Sequence, residues 1–155
     1  MNRYYLFLVP PATMLTSLAL GDVHAPNVGK QAISSPNAPE AIGPYSQAIK
    51  SGNTVYLSGQ IALDPKTKQL MSDASIEDQT RLVLENIKAV LAADGLTMDN
   101  IVSATVFLTD LANFAKMNEV YATYFRNMPP ARATVEVAHL PRSAKIEISA
   151  IAVHP

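Results

Sequence analysis

Two stretches in the last third of the chain decide the fold: residues 129–137, PPARATVEV, and residues 145–153, KIEISAIAV. In the first stretch apolar residues alternate with polar ones, which is the period of a strand with one apolar face. The second stretch is almost continuously apolar, which is typical of a strand covered on both sides. A short linker, residues 139–144, joins them and contains Pro141. This spacing predicts an antiparallel hairpin.

Each of these strands carries one charged residue of interest, Arg132 in the first and Glu147 in the second. The predicted hairpin would bring them close together, although the sequence leaves the register open. A structural salt bridge is the ordinary explanation for such a pair. The functional explanation is that the guanidinium fork binds a carboxylate ligand. A carboxyl group in an apolar strand can also have a raised pKa and so transfer protons.

The rest of the chain alternates strands with amphipathic helices, which indicates an α+β domain with a two-layer arrangement: a mixed sheet with two helices on one face. An apolar sheet face left bare would favour association with other copies. The expected elements are strands at 46–50, 54–59 and 101–108, a helix that starts at Ser75 and ends at Gly95, and a helix that Asp110 caps.

Four further polar or small residues are candidate site residues. Tyr45, Ser58 and Gly59 can lie near one another at the end of the first two strands, where Tyr45 could equally only wedge a turn. Asn118 falls on the apolar face of the second helix, and a buried amide there needs a hydrogen-bond partner. That partner is either a neighbouring protein group or a ligand.

Composition excludes several classes of function. The 155 residues include 13 acidic and 12 basic side chains, so no positive field attracts a nucleic-acid backbone. Cysteine is absent, which excludes disulfides, thiolate nucleophiles and cysteine-based zinc sites. The three histidines have no metal-ligand spacing. We therefore expect no metal.

The first residues resemble a targeting segment. Residues 4–21 carry no charge and follow Arg3, which predicts a signal peptide at residues 1–25, a flexible lead-in at 26–40 and a folded domain at 41–155. The expected location is the periplasm or the extracellular space, with no membrane attachment after cleavage. A transmembrane anchor is the competing interpretation, although Pro10 and Pro11 interrupt the run. Another competing interpretation is that the true start lies further downstream and that the protein is cytoplasmic.

Four motifs together resemble one family. They are PAR at 130–132 with IEI at 146–148, AIGPYSQAI at 41–49, VYLSGQIALDPKT at 55–67, and TVFLTDLANFAKMNEVY at 105–121. These are similar to the RidA family, also called YjgF/YER057c/UK114, the reactive intermediate (enamine/imine) deaminases. The resemblance implies a chorismate-mutase-like fold and a homotrimer. In that trimer the sheets form a central barrel and the ligand pockets lie between subunits.

The resemblance also implies a chemistry, that of a 2-iminobutanoate/2-iminopropanoate deaminase without a cofactor. Arg132 would bind the carboxylate of a small imino or enamino acid, and Glu147 would activate water and shuttle protons to the departing ammonia. The residues implied to line the pocket are Tyr45, Ser58, Gly59, Asn118 and Thr134. Two positions depart from the family pattern: Thr134 stands where some members have Cys, and Ser149 where many have Glu.

Two alternatives from other functional classes remain at this stage. The same fold could act as a non-catalytic module that binds small carboxylates or serves as a chaperone-like surface. It could also be a ribonuclease or translation inhibitor, although the near-neutral charge argues against RNA binding.

Overall fold

The computed structural model describes residues 29–155. The signal peptide predicted for residues 1–25 and the first residues of the predicted lead-in lie outside the described residues. Within this part of the chain there are six strands, two α-helices and three short 3₁₀ turns. They are β1 (Lys30–Ile33), β2 (Ala48–Ser51), β3 (Thr54–Ile61), α1 (Ile76–Ala92), β4 (Ile101–Leu108), α2 (Phe114–Tyr124), β5 (Ala131–Glu136) and β6 (Ile146–Val153), with the turns at Met98–Asn100, Leu111–Asn113 and Pro141–Ser143.

The strands form one mixed sheet in the order β1-β2-β3-β6-β4-β5. All neighbours are antiparallel except β4 and β5, which are parallel. The predicted hairpin between β5 and β6 is therefore wrong, because β4 lies between them. Helix α2 is the reason: it carries the chain from the end of β4 back to the start of β5, as a crossover between parallel strands requires.

Strand β6 is central because it lies between β3 and β4, and the helices cover one of its faces. Ile146, Ile148, Ala150 and Ala152 are buried, while the alternate residues are half-buried. One face of β6 thus packs under the helices and the other is only partly covered within the chain. Within residues 29–155, the prediction that β6 is covered on both sides therefore holds fully for only one of its faces.

Helix α1 starts at its predicted N-cap, Ser75, but it ends at Ala92 with Ala93 as its C-cap, before the predicted C-cap Gly95. The Ser75 side chain accepts a hydrogen bond from the backbone N of Asp78 at 3.1 Å, which caps the first turn. Ala92 is the last helical residue, and Gly95 has a φ of +73°, a conformation that glycine adopts without strain. Asp110 caps the 3₁₀ turn that precedes α2 rather than α2 itself, since its carboxylate accepts from Ala112 N at 2.8 Å.

The predicted flexible lead-in at 26–40 differs from the structure over its described part. Residues Lys30–Ile33 form the edge strand β1, paired with β2. Farther along, the Gln47 side chain accepts from Ser35 N at 2.6 Å and donates to Pro39 O at 2.7 Å. Buried amides of this kind hold irregular backbone in one conformation. The folded unit consequently begins before residue 41.

The core lies between the sheet and the two helices, and no layer covers the opposite sheet face among residues 29–155. Tyr56 of β3 and Val135 of β5 show this, with exposed fractions of 50% and 42%. Among residues 29–155 no helix combines the length and apolar character that a membrane crossing requires. The predicted α+β architecture is confirmed.

Candidate functional site

A cavity of about 320 Å³ lies at the end of β3 where the uncovered side of the sheet meets the segment 39–45. We call it the Glu147 cavity. Four of the residues predicted from the sequence line it: Tyr45, Ser58, Gly59 and Glu147. Apolar side chains complete the wall, among them Ile42, Ile61 and Leu63. The structure therefore brings these four predicted residues together around one cavity.

The position of Glu147 depends on an irregularity in β3. Between Leu57 and Gln60, two residues of β3, Ser58 and Gly59, lie opposite the single residue Ser149 of β6, which is a β-bulge. The bulge contains Gly59, and a Cβ at that position would collide with the carboxylate of Glu147 and lie 2.7 Å from its Cδ. Glycine is thus required at position 59, because the absence of a side chain there leaves room for the carboxyl group of Glu147.

Burial raises the pKa of Glu147 from its ordinary value. No ion pair to Glu147 occurs within residues 29–155, so nothing opposes this effect of burial. A carboxyl group with a raised pKa, in a cavity, is suited to accept and return a proton.

Other lining residues are held in place by local hydrogen bonds. Ser58 Oγ donates to Ser46 O at 2.7 Å, which ties the bulge to the start of β2. The Tyr45 hydroxyl accepts from Ile42 N at 3.2 Å, while 46% of Tyr45 remains exposed. Tyr45 therefore both shapes the rim and presents an accessible ring.

Arg132 lies elsewhere, on the face of the sheet that packs against α2. Its guanidinium carbon is 4.5 Å from the ring centre of Tyr121 and 5.8 Å from that of Phe114. These contacts are cation–π interactions. No ion pair to Arg132 exists in the described part of the chain. The guanidinium is held by two ring faces, without an anionic partner.

Asn118 and Thr134 belong to the same region. Asn118 lies between Phe114 and Tyr121 at helical spacing, on the face of α2 turned to β5. Thr134 follows Arg132 by two residues on one face of β5, and its hydroxyl is buried without a hydrogen-bond partner. We call Arg132, Asn118, Thr134, Phe114 and Tyr121 the Arg132 cluster.

A single chain does not bring Arg132 and Glu147 together, so the predicted pairing within one hairpin is wrong. On β4, Ala104 pairs with Arg132, whereas Phe107 pairs with Glu147. The two positions are three residues apart along the sheet, and such an odd offset places their side chains on opposite faces. Two strand spacings and three residue rises separate their Cα atoms by roughly 14 Å.

Sequence reasoning missed three residues that shape the two regions. Their helical spacing predicts that Tyr121 and Phe114 point toward the core; Tyr121 does lie in the core and Phe114 is exposed, and both rings also support Arg132, a role that the spacing does not predict. Gln47 was included in a motif without a role, and it fixes the wall of the Glu147 cavity. One signal in the sequence could have found the two rings under Arg132. It is the helical spacing of Phe114, Asn118 and Tyr121, opposite a strand that carries an arginine.

Metal chemistry has no evident location in this region. Within residues 29–155 there is no cluster of three or more His, Cys, Asp or Glu side chains that could hold a metal ion. The groups that could contact a ligand are instead an unpaired guanidinium, a carboxyl group, an amide and hydroxyls. This set suits a small molecule with an acidic end.

Comparison with known proteins places this arrangement in one family. The family model for endoribonuclease L-PSP matches residues 35–154. A RutC family protein of Pyrococcus horikoshii is 54% identical, over 79% of this chain and 97% of its own length. The 2-iminobutanoate/2-iminopropanoate deaminase of mouse is 45% identical, over 80% of this chain and 91% of its own length.

Solved structures agree with the sequence comparison. The crystal structure of Escherichia coli TdcF with bound serine superposes with a TM-score of 0.77 at 45% identity, covering 81% of this chain and 99% of that one. Both the sequence match and the shared fold extend over almost the whole described domain. The chain therefore belongs to the endoribonuclease L-PSP family, the RidA (YjgF/YER057c/UK114) family that its four motifs resemble.

Proposed function

We propose that the protein is a hydrolytic deaminase that converts reactive 2-imino acids and their enamine tautomers into 2-oxo acids and ammonia. The observation that carries this proposal is the guanidinium of Arg132, which lies against the rings of Tyr121 and Phe114 and has no carboxylate partner among residues 29–155. A cation held in this way is available for a carboxylate ligand. The mouse relative named as an imino acid deaminase supports the same conclusion.

The chemistry proposed for Glu147 follows from its raised pKa. The carboxylate takes a proton from water as the oxygen attacks the imine carbon, and the nitrogen is protonated in turn. In the resulting carbinolamine, Glu147 accepts the hydroxyl proton as the C=O bond forms and passes it to the amino nitrogen, so that the C–N bond breaks and ammonia leaves with the electron pair. An iminium carbon is a good electrophile, so orientation by Arg132 and one proton shuttle are sufficient.

We propose that the complete site forms between two copies of the chain in a homotrimer. Support comes from the two regions themselves: the Glu147 cavity and the Arg132 cluster lie on opposite faces of one sheet. A head-to-tail ring can join one region of each copy to the other region of its neighbour. The exposed Tyr56 and Val135 on the uncovered face are consistent with burial between copies.

Mixing two inactive variants tests this arrangement directly. Arg132→Ala and Glu147→Gln are unfolded together and refolded at equal amounts, and each is refolded alone as the control. Sites between copies would regain activity, because roughly a quarter of random pairings combine a native arginine with a native glutamate. No restored activity in mixed oligomers would mean that both residues act from the same chain.

We also propose 2-iminobutanoate and 2-iminopropanoate as the preferred substrates. The cavity of about 320 Å³ and its apolar wall of Ile42, Ile61 and Leu63 suit a short aliphatic side chain. These imines form when a dehydratase acts on threonine or serine. The mature protein coupled to such a dehydratase should accelerate 2-oxo acid release, and an aromatic imino acid from an amino-acid oxidase should be a poorer substrate.

Arg132→Ala is the decisive variant in that coupled assay. Loss of two charge-assisted hydrogen bonds to the substrate should lower kcat/KM by at least about 100-fold. Lysine at the same position keeps the charge but loses the planar fork, and should recover only part of the activity. Equal rates for the native protein and Arg132→Ala would remove the role assigned to the arginine.

Export is a further proposal, supported by the uncharged run at residues 4–21. Outside the cytoplasm the imino acids would come from amino-acid oxidases. The mass of the protein recovered from a periplasmic fraction tests this, since cleavage near residue 25 removes the leader. A full-length protein confined to the cytoplasm would contradict export.

The family description also names an endoribonuclease. The net charge of −1 offers little attraction for a phosphate backbone. RNA cleavage by the purified protein, abolished by raised salt, would favour that activity instead.

A further inference from the structure

Two buried hydroxyl groups beside Arg132 have no hydrogen-bond partner. They are Tyr121 OH and Thr134 Oγ1, and less than 1 Å² of each oxygen is exposed. Buried polar groups in native proteins are almost always paired, so each exception requires a reason. Among the described residues these are the only side-chain oxygens or nitrogens in this condition, and both belong to the Arg132 cluster.

The position of these hydroxyls relative to Arg132 indicates what they are for. Thr134 shares a strand face with Arg132, and the ring of Tyr121 carries the guanidinium at 4.5 Å. Tyr121 itself is only 5% exposed. An unpaired cation over the Tyr121 ring, with two unpaired hydroxyls in the same cluster, suits a group that accepts several hydrogen bonds.

We propose that Tyr121 OH and Thr134 Oγ1 donate hydrogen bonds to the carboxylate that Arg132 binds, so that Tyr121 is a substrate-binding residue. This inference rests on the proposed function and adds to it the residues that recognise the acidic end of the substrate. A carboxylate has about four lone-pair positions, and the guanidinium fork occupies two of them. The two hydroxyls supply donors for the remainder.

The electrostatic environment keeps Tyr121 in the form that this role needs. Burial raises the pKa of Tyr121, and the nearby charge of Arg132 opposes this only in part. The hydroxyl therefore retains its proton and can donate it. A tyrosinate at this place would instead pair with Arg132 and compete with the substrate.

The ligand reaches the hydroxyls through the arginine. Ring faces hold the guanidinium more loosely than a carboxylate partner would, so it can turn toward an incoming anion. The anion then meets donors that water does not reach, since both oxygens are covered in the free chain. Hydrogen bonds made in such surroundings are stronger than bonds at an open surface.

Removal of one hydroxyl without a change of shape tests the proposal. In Tyr121→Phe the ring under Arg132 remains and a buried donor without a partner disappears. Stability should therefore be unchanged or higher. Binding of 2-oxobutanoate, the stable product of 2-iminobutanoate hydrolysis, should weaken by about 10- to 100-fold, the range for a hydrogen bond to a charged group. Thr134→Val removes the other hydroxyl and should weaken binding in the same direction.

Tyr124→Phe is the matched control on the same helix. The Tyr124 hydroxyl already donates to Glu85 Oε1 at 2.8 Å, so its loss should leave the affinity for 2-oxobutanoate unchanged. Calorimetric titration gives the affinities, and thermal unfolding of each variant gives the stabilities. A purely structural role for the Tyr121 hydroxyl would show the opposite result, with lower stability and native affinity.

The outcomes separate this inference from the proposed function. Native affinity in Tyr121→Phe overturns the inference, whether or not the protein deaminates imines. Absence of 2-oxobutanoate binding by the native protein also overturns it. Weaker binding in Tyr121→Phe, together with a native protein that never accelerates imine hydrolysis, would support the carboxylate site while rejecting the deaminase.

Discussion

Replacement of Gly59 by alanine should impair catalysis far more than folding. An added Cβ would collide with the carboxylate oxygen of Glu147, and it would also lie 2.7 Å from Cδ and 3.0 Å from Cγ. Because the contacts involve most of the side chain, rotation of the carboxyl group alone cannot relieve them. Glu147 must leave its position by about 1 Å, and a displacement of that size costs about 100-fold in rate. The half-buried side chain has room to move, so a forced rotamer should cost only about 1 kcal/mol in stability.

The assay for Gly59→Ala combines imine hydrolysis with thermal unfolding. We expect kcat to fall by about 100-fold while the protein stays folded. Gly29→Ala is the matched control, because a Cβ at Gly29 would have no atom within 4 Å and should change neither quantity. A native kcat in Gly59→Ala would show that the present position of the Glu147 carboxyl is not required. Loss of the folded state would refute the small cost in stability.

Two further predictions concern pH. Burial raises the pKa of Glu147 above its ordinary value of 4.5, so the native protein loses stability as pH rises through the folded-state pKa. At neutral pH, Glu147→Gln should therefore unfold at a higher temperature than the native protein. In thermal scans this difference should vanish below about pH 4.5. Burial would raise the pKa of Asp94, but hydrogen bonds with His154 at 2.6 Å and Lys50 at 3.3 Å outweigh it and lower the pKa below 3.8. At neutral pH, Asp94→Asn should lower the free energy of unfolding by about 1–2 kcal/mol. Chemical unfolding should show this loss disappearing as pH falls through the folded-state pKa of Asp94. Equal stabilities of the variant and the native protein at neutral pH would contradict this prediction.

Local features of this chain could be predicted from its sequence because they depend on near neighbours. The cap at Ser75, the periodicity of α1 and the alternation in β5 each involve residues a few positions apart. The residues of the Glu147 cavity were found for a related reason. Tyr45 lies three residues before β2 and Ser58 lies in β3, and a tight turn joins these two strands, so their proximity follows from a local connection.

The pairing of β6 could not be predicted in this way. The short linker before it suggested a partner in β5, but β6 instead pairs with β3 and β4, which are distant in sequence. Apolar patterns show that a strand is buried and do not identify its neighbours. This one difference in order moved Arg132 and Glu147 to opposite faces. Strand β1 was missed because its four residues, KQAI, form a mostly exposed edge with little apolar pattern.

The place of β6 in the sheet has a consequence for how the chain reaches its native state. Strands β1 to β3 form one group and β4 with β5 another, and only β6, the last strand along the chain, joins them. Until β6 is in place, β3 and β4 each lack the strand that pairs with both of them in the native sheet. An intermediate in which β6 has not yet docked therefore exposes two unpaired strand edges, and it is the species most exposed to aggregation.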